Sequence, residues 1–122
     1  MKISVITVCY NEQKNISKTI ESVLNQTSNV YEYIICDGKS TDKTVEISRK
    51  LSQEDTRVRY ISFSRNFGKE AAMFAGLKNS NGDYVAIMDA DLQDPPSLLP
   101  QMLNTLQNED YDCAATRRVT RK

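Results

Sequence analysis

The chain has 122 residues, with 16 lysines and arginines balancing 16 aspartates and glutamates, and it contains no histidine. That length suits one domain with a real core, the charge balance argues against a nucleic-acid-binding surface or a polybasic membrane patch, and the lack of histidine removes His-based triads and His metal sites. No apolar run approaches the ~18 residues that cross a bilayer, no secretory leader is read ahead of Ile3, and Cys9, Cys36 and Cys113 lie far apart without C-x-x-C spacing, so the expectation is a cytoplasmic protein with buried, reduced thiols.

In chain order, strands and helices alternate. Ile3 to Cys9 is β-branched and apolar, as a central strand should be, and it ends at Tyr10-Asn11-Glu12. Asn15 can cap a helix whose Ile16, Ile20, Val23 and Leu24 share one face. Tyr31 to Cys36 predicts a second strand ending at Asp37-Gly38, after which Ser40, Thr41 and Asp42 offer caps for a helix to about Leu51. Val58 to Phe63 predicts a third strand, followed by Ser64-Arg65-Asn66-Phe67-Gly68. Ala71, Ala72, Ala75 and Gly76 suit a helix over 69–79 that packs closely on a sheet, and Asn81-Gly82-Asp83 is a turn. Tyr84 to Met88 is nearly all apolar, the pattern of a strand buried on both faces of a parallel sheet. Leu98, Leu99, Met102, Leu103 and Leu106 stripe a further helix, and Tyr111 to Thr116 predicts a fifth strand. There is no repeat, low-complexity segment or linker. The pattern predicts one α/β domain over residues 1–122, a mostly parallel sheet with helices on both faces and right-handed connections.

Open parallel sheets bind ligands beyond the carboxyl ends of their strands, where the strand order switches. Here those ends carry Asn11 and Glu12, then Asp37, then Arg65 and Asn66, then Asp89 and Asp91. If the order is 3-2-1-4, Asn11 and Glu12 flank the Asp89 stretch. Asp89, Asp91 and Gln93 are spaced to face one side of an extended segment, and three oxygen-bearing side chains suit Mg²⁺ or Mn²⁺ with positions left for substrate phosphates. Aspartates also follow strands because they suit turns and caps, so spacing alone leaves both readings open. Neither G-x-x-x-x-G-K-[ST] nor G-x-G-x-x-G occurs, so a phosphate-bearing ligand would need a cation rather than a glycine cradle.

Together, ISVITVCYNEQKNI, IICDGKSTDKT, FSRNFGKEAAMFAGL and YVAIMDADLQDPP resemble the N-terminal part of a family 2 glycosyltransferase. SRNFGKEAA with DADLQDPP resembles, more narrowly, the dolichol-phosphate mannosyltransferase and bactoprenol glucosyltransferase branch. The resemblance implies the Rossmann-like, nucleotide-sugar-binding half of a GT-A fold. It implies a UDP- or GDP-sugar donor, a polyprenyl phosphate acceptor, and Mg²⁺ or Mn²⁺ bridging the diphosphate to Asp89, Asp91 and Gln93. Glu12 and Asp37 would meet the nucleoside with Tyr10 and Asn11 nearby, and Arg65 and Lys69 would line the same cleft. Arg117 and Arg121 match basic positions that hold phosphate. Asp91 and Arg117 would serve the transfer itself, which is expected to invert the sugar. A lipid-linked acceptor places the full-length protein at the cytoplasmic face of a membrane; the oligomeric state is left open.

Two departures matter. Many members read D-D-G-S-T-D where this chain has Cys36-Asp37-Gly38-Lys39-Ser40-Thr41-Asp42, so one acidic group is missing or displaced. The acceptor-side segment of the family is also expected beyond Lys122, which makes an inactive sugar-nucleotide-binding fragment the chief alternative. A nucleotidylyltransferase would carry a Gly- and Arg/Lys-rich loop where Tyr10-Asn11-Glu12-Gln13 stands. A receiver module would end its third strand in Asp, where this chain has Ser64-Arg65.

Overall fold

A computed structural model of the chain describes residues 2–26, 29–90, 96–109 and 113–114. The elements are β1 (Ile3–Cys9), α1 (Ile16–Asn25), β2 (Val30–Asp37), α2 (Thr44–Glu54), β3 (Val58–Ser62), α3 (Lys69–Asn79), β4 (Tyr84–Ile87) and, after a 3-10 turn at Pro96–Leu98, α4 (Leu99–Asn108). The strands form one parallel sheet in the order β3-β2-β1-β4. This is the order under which Asn11 and Glu12 flank the Asp89 stretch, and it puts the switch point between β1 and β4. The predicted fifth strand lies outside the described residues, apart from Cys113 and Ala114, which belong to no regular element.

Alternation along the strands sends side chains to two cores. On one face Val5, Cys9, Tyr33, Ile35 and Val58 pack with Ile16, Ile20 and Val23 of α1 and Leu99 of α4. On the other, Ile6, Ile34 and Cys36 pack with Ala72 of α3. A Cβ on Gly76 would stand 2.7 Å from Ile6 Cγ2 and 3.1 Å from Cys36 Sγ, so glycine is what lets α3 lie this close to the sheet.

Three details differ from expectation. Tyr84 to Met88 is not buried on both faces: Val85 and Ile87 are 39% and 43% exposed. Their partners in β1 are Ser4 and Ile6, so they share the face on which α3 lies over β1 and β2, and no described element extends that cover to β4. Cys9 and Cys36 are buried free thiols as expected, but Cys113 is exposed. Asn15 does occupy the N-cap of α1, yet its side chain makes no capping hydrogen bond. For α2 the capping role falls to Asp42, whose Oδ1 accepts from the Thr44 N–H at 3.0 Å and the Thr44 hydroxyl at 2.5 Å.

At the amino ends of the strands Glu32 is a buried anchor. Its Oε2 accepts from the Ser4 hydroxyl at 2.6 Å and the Asn81 N–H at 2.5 Å, and its Oε1 from Arg59 at 2.8 Å. Burial alone would push this carboxyl up, but the hydrogen bonds from Ser4, Asn81 and Arg59 outweigh it and hold Glu32 below its ordinary value.

Candidate functional site

The carboxyl ends of the strands open onto a cleft of about 560 Å³, lined by Cys9, Tyr10, Glu12, Gly38, Asn66, Gly68, Lys69 and Asp89 among others. That volume suits a nucleotide-sized ligand. A second cavity, about 590 Å³, lies between β4 and α4, but Val85, Ile87, Leu99, Met102, Leu103 and Leu106 make it an apolar groove without a cluster of reactive groups. The chemistry is at the strand ends.

The loop after β1 is locked to the loop after β2. Asn11 takes a left-handed conformation, φ 53°, and its Oδ1 accepts from the Thr41 N–H at 2.8 Å. The Asn11 N–H donates to Ser40 Oγ at 2.8 Å, and that hydroxyl donates onward to Asp37 Oδ1 at 2.5 Å. Asp37 Oδ2 accepts from the Ser40 N–H at 2.8 Å. One step further, the Gln13 N–H donates to Asp42 Oδ2, the Lys43 N–H donates to Gln13 Oε1 and the Glu12 N–H donates to Thr44 Oγ1. These bonds fix where Glu12 emerges into the cleft. Among the described residues, its carboxylate has no hydrogen-bond partner.

The predicted site residues therefore divide. Tyr10, Glu12, Lys69 and Asp89 line the cleft, and Lys69 Nζ stands 3.6 Å from Asp89 Oδ1. Asp37 is buried beside it, paired in register with Cys9, its carboxylate occupied by Ser40 and by a long contact with Cys9 Sγ at 3.7 Å. Since β1 lies between β2 and β4, Asp37 and Asp89 flank it at about two strand spacings, roughly 10 Å. Asn11 supports the loops rather than lining the cleft. Arg65 is not a lining residue either: its guanidinium carbon sits 4.7 Å over the Phe67 ring, and Phe67 in turn meets Phe63 edge-on at 5.9 Å. Asp91, Gln93, Arg117 and Arg121 lie outside the described residues.

Burial raises the Cys9 thiol strongly, and the adjacent Asp37 carboxylate adds to it, so Cys9 is an un-ionised floor to the cleft rather than a nucleophile. Sequence reasoning missed two supports. The only local signal for the Ser40 relay is the Ser40-Thr41-Asp42 run, a pattern that equally suits helix caps. Thr19 sits mid-helix in α1 and carries no local signal, yet its hydroxyl reaches the Ala90 carbonyl at 2.5 Å.

The sequence model described as "Glycosyl transferase family 2" matches residues 4–122. The undecaprenyl-phosphate 4-deoxy-4-formamido-L-arabinose transferase of Photorhabdus laumondii is 35% identical over 125 residues, covering 99% of this chain and 38% of that protein. Among solved structures, the mannosyltransferase PcManGT of Pyrobaculum calidifontis, in complex with GDP-Man and Mn²⁺, superposes with a TM-score of 0.67 at 26% identity, over 73% of this chain and 27% of that one. TarS 1-349 of S. aureus in complex with UDP-GlcNAc gives 0.67 at 29% identity, over 75% and 27%. The chain spans less than two fifths of the length of such curated relatives. With the family model running over nearly the whole chain and the solved glycosyltransferases superposing on its sheet and helices, this protein belongs to glycosyl transferase family 2, and its parallel sheet is the Rossmann-like part of a GT-A fold.

Proposed function

We propose that residues 1–122 form the donor-binding domain of a metal-dependent, inverting glycosyltransferase that moves a hexose from a UDP- or GDP-sugar to a polyprenyl phosphate at the cytoplasmic face of a membrane. The observation that carries the proposal is the gathering of Glu12, Lys69 and Asp89 around one cleft at the topological switch point. Named relatives that act on undecaprenyl phosphate, or hold GDP-Man with Mn²⁺ or UDP-GlcNAc, support the donor and acceptor classes.

The residues present fit a hard cation carried in with the diphosphate. The Asp89 side chain is 44% exposed toward the cleft, and its one ion-pair partner among the described residues is the exposed Lys69 at 3.6 Å. Mg²⁺ and Mn²⁺ prefer oxygen ligands and keep substrate phosphates in their shell. Asp89, Asp91 and Gln93 would hold the ion, and once bound it would neutralise charge developing on the leaving diphosphate. Glu12 offers an acceptor to the nucleoside, with Tyr10 beside it and Asp37 behind. Lys69 adds positive charge next to the phosphates, with Arg65 near the rim. Arg117 and Arg121 would clamp phosphate bidentately, Arg117 during transfer. No helix among the described residues is long and apolar enough to cross a membrane.

A second reading, a sugar-nucleotide-binding unit inactive in transfer, is favoured for the isolated chain by its span of 38% of its relatives' length. Two assays are needed: nucleotide binding tests the donor site that both readings share, and transfer to lipid separates them. Nucleotide at ten times its Kd should add ~1.4 kcal/mol, a rise in Tm of roughly 4–8 °C for a domain of this size. UDP or GDP should give that rise only with Mn²⁺. No metal-dependent shift with either nucleotide would overturn the donor-site reading. Lipid-linked product made by these 122 residues would overturn the inactive-fragment reading.

A further inference from the structure

Thr19 lies on the buried face of α1 among Ile16, Ile20 and Val23 and is 1% exposed. Position, burial and shape would all suit valine, since a hydroxyl without a role costs desolvation there. Its oxygen has two acceptors in reach: the Asn15 carbonyl at 3.0 Å, the usual partner one turn back, and the Ala90 carbonyl at 2.5 Å. The single hydroxyl proton goes preferentially to the nearer one. That carbonyl belongs to the peptide joining Ala90 to Asp91, and Ala90 itself is 5% exposed, so the bond is shielded from water. Gripping that oxygen holds the chain one residue beyond Asp89, which lines the cleft. Through α1 the same contact ties the end of β4 to the Glu12 loop, because the Glu12 carbonyl accepts the Asn15 and Ile16 N–H groups at the start of that helix, at 3.0 and 2.8 Å.

We propose that Thr19 is a positioning residue for Asp89: its hydroxyl holds the Ala90 carbonyl and so fixes the backbone that presents Asp89 to the cleft. The proposal rests on the reading of Asp89 as a cation ligand. Supports of this kind, one bond behind a ligand, commonly alter metal affinity by about 10–100-fold when removed.

The test compares Thr19→Val, which keeps the shape and loses the hydroxyl, and Thr19→Ala, which loses both, with Thr19→Ser, which keeps the hydroxyl. The readout is the Mn²⁺ concentration giving half of the nucleotide-dependent thermal shift, measured with UDP and separately with GDP. Unfolding midpoints in EDTA report any purely structural effect. The expected result is a rise of about tenfold in half-saturating Mn²⁺ for Thr19→Val and Thr19→Ala, with Thr19→Ser within about twofold of the parent. Lowered midpoints in EDTA with unchanged Mn²⁺ dependence would make the hydroxyl merely structural and overturn the proposal. So would equal weakening in Thr19→Ser, or failure of both hydroxyl-free variants to fold. If the parent chain itself shows no Mn²⁺ dependence, the cation-site reading falls as well, an outcome distinct from an intact parent response that Thr19→Val leaves unchanged.

Discussion

Lys69 Nζ and Asp89 Oδ1 face each other at 3.6 Å across the cleft, with side chains 67% and 44% exposed. The pair joins the first turn of α3 to the chain just beyond β4, and each partner has the charge that one half of a cation–diphosphate ligand would seek. An exposed pair at this distance contributes less than about 1 kcal/mol to folding. Lys69→Gln should therefore leave the urea midpoint nearly unchanged while weakening Mn²⁺–nucleotide binding several-fold. A large loss of stability with unaltered nucleotide binding would show the pair to be structural. Calorimetry alongside urea unfolding measures both quantities.

Gly76 gives a prediction about the fold alone. Alanine is the better helix former by about 1 kcal/mol, so on propensity Gly76→Ala would stabilise α3. Its Cβ, however, would stand 2.7 Å from Ile6 Cγ2 and 3.1 Å from Cys36 Sγ, and a β-branched side chain in a central strand cannot swing aside. Overpacking of this kind costs about 1–3 kcal/mol and should win. A lower urea midpoint is the expected outcome; a higher one would mean that α3 can lift off the sheet at little cost.

Glu32 sets an acid limit on stability. Its folded value lies below the ordinary one near 4.5, so its contribution is complete above that pH and is lost as pH falls through the folded value. Glu32→Gln cannot accept all the donors now aimed at the carboxylate, and hydrogen bonds to a charged group are worth about 1.5–3 kcal/mol each. The variant should be about 2 kcal/mol or more less stable at pH 7, and the gap should narrow as the pH drops below about 4.5. A gap independent of pH would mean that charge is not what the Ser4, Asn81 and Arg59 donors recognise.

The thiols should separate cleanly by accessibility. Cys36 is pushed up to about 11 by burial, and Cys9 is raised further by burial and the neighbouring Asp37. Only Cys113 is exposed. An aromatic disulfide reagent at pH 8 should therefore modify one thiol rapidly in the native chain and all three in denaturant. Rapid loss of two thiols would show that the Cys9 floor opens to the cleft. Bound nucleotide should then protect it.

The sheet was legible in the sequence because each element carries its own period. The β-branched run of β1, the one-sided stripe of α1 and the small residues over 69–79 are local signals, and they place Glu12 and Asp89 at adjacent strand ends. What could not be seen is what depends on pairs distant along the chain. Asn11 and Asp37 both looked like ligand-facing polar residues, yet Ser40 engages both, a relay visible only once β1 and β2 lie side by side. The Tyr84 to Met88 run has the composition of a doubly buried strand, but composition does not say which face a neighbour covers. Arg65 is drawn to Phe67, two residues on, where its place after β3 and the family resemblance pointed to the cleft.

Asn11 offers the sharpest test of the loop lock. Two properties are combined in it, a left-handed backbone at φ 53° and an Oδ1 that accepts the Thr41 N–H at 2.8 Å and the Thr41 hydroxyl at 3.3 Å. Glycine keeps the first and loses the second; alanine loses both. Asn11→Gly should cost about 1 kcal/mol for the lost hydrogen bonding. Asn11→Ala should cost about 1–2 kcal/mol more, because an L-residue with a Cβ resists that conformation. Nucleotide affinity should drop in both, since the same loop presents Glu12 to the cleft. Equal stability of the two variants would mean that the loop relaxes to an ordinary conformation once the side chain is gone. If nucleotide binding also survived that relaxation, the lock between the β1 and β2 loops would serve folding and not the site.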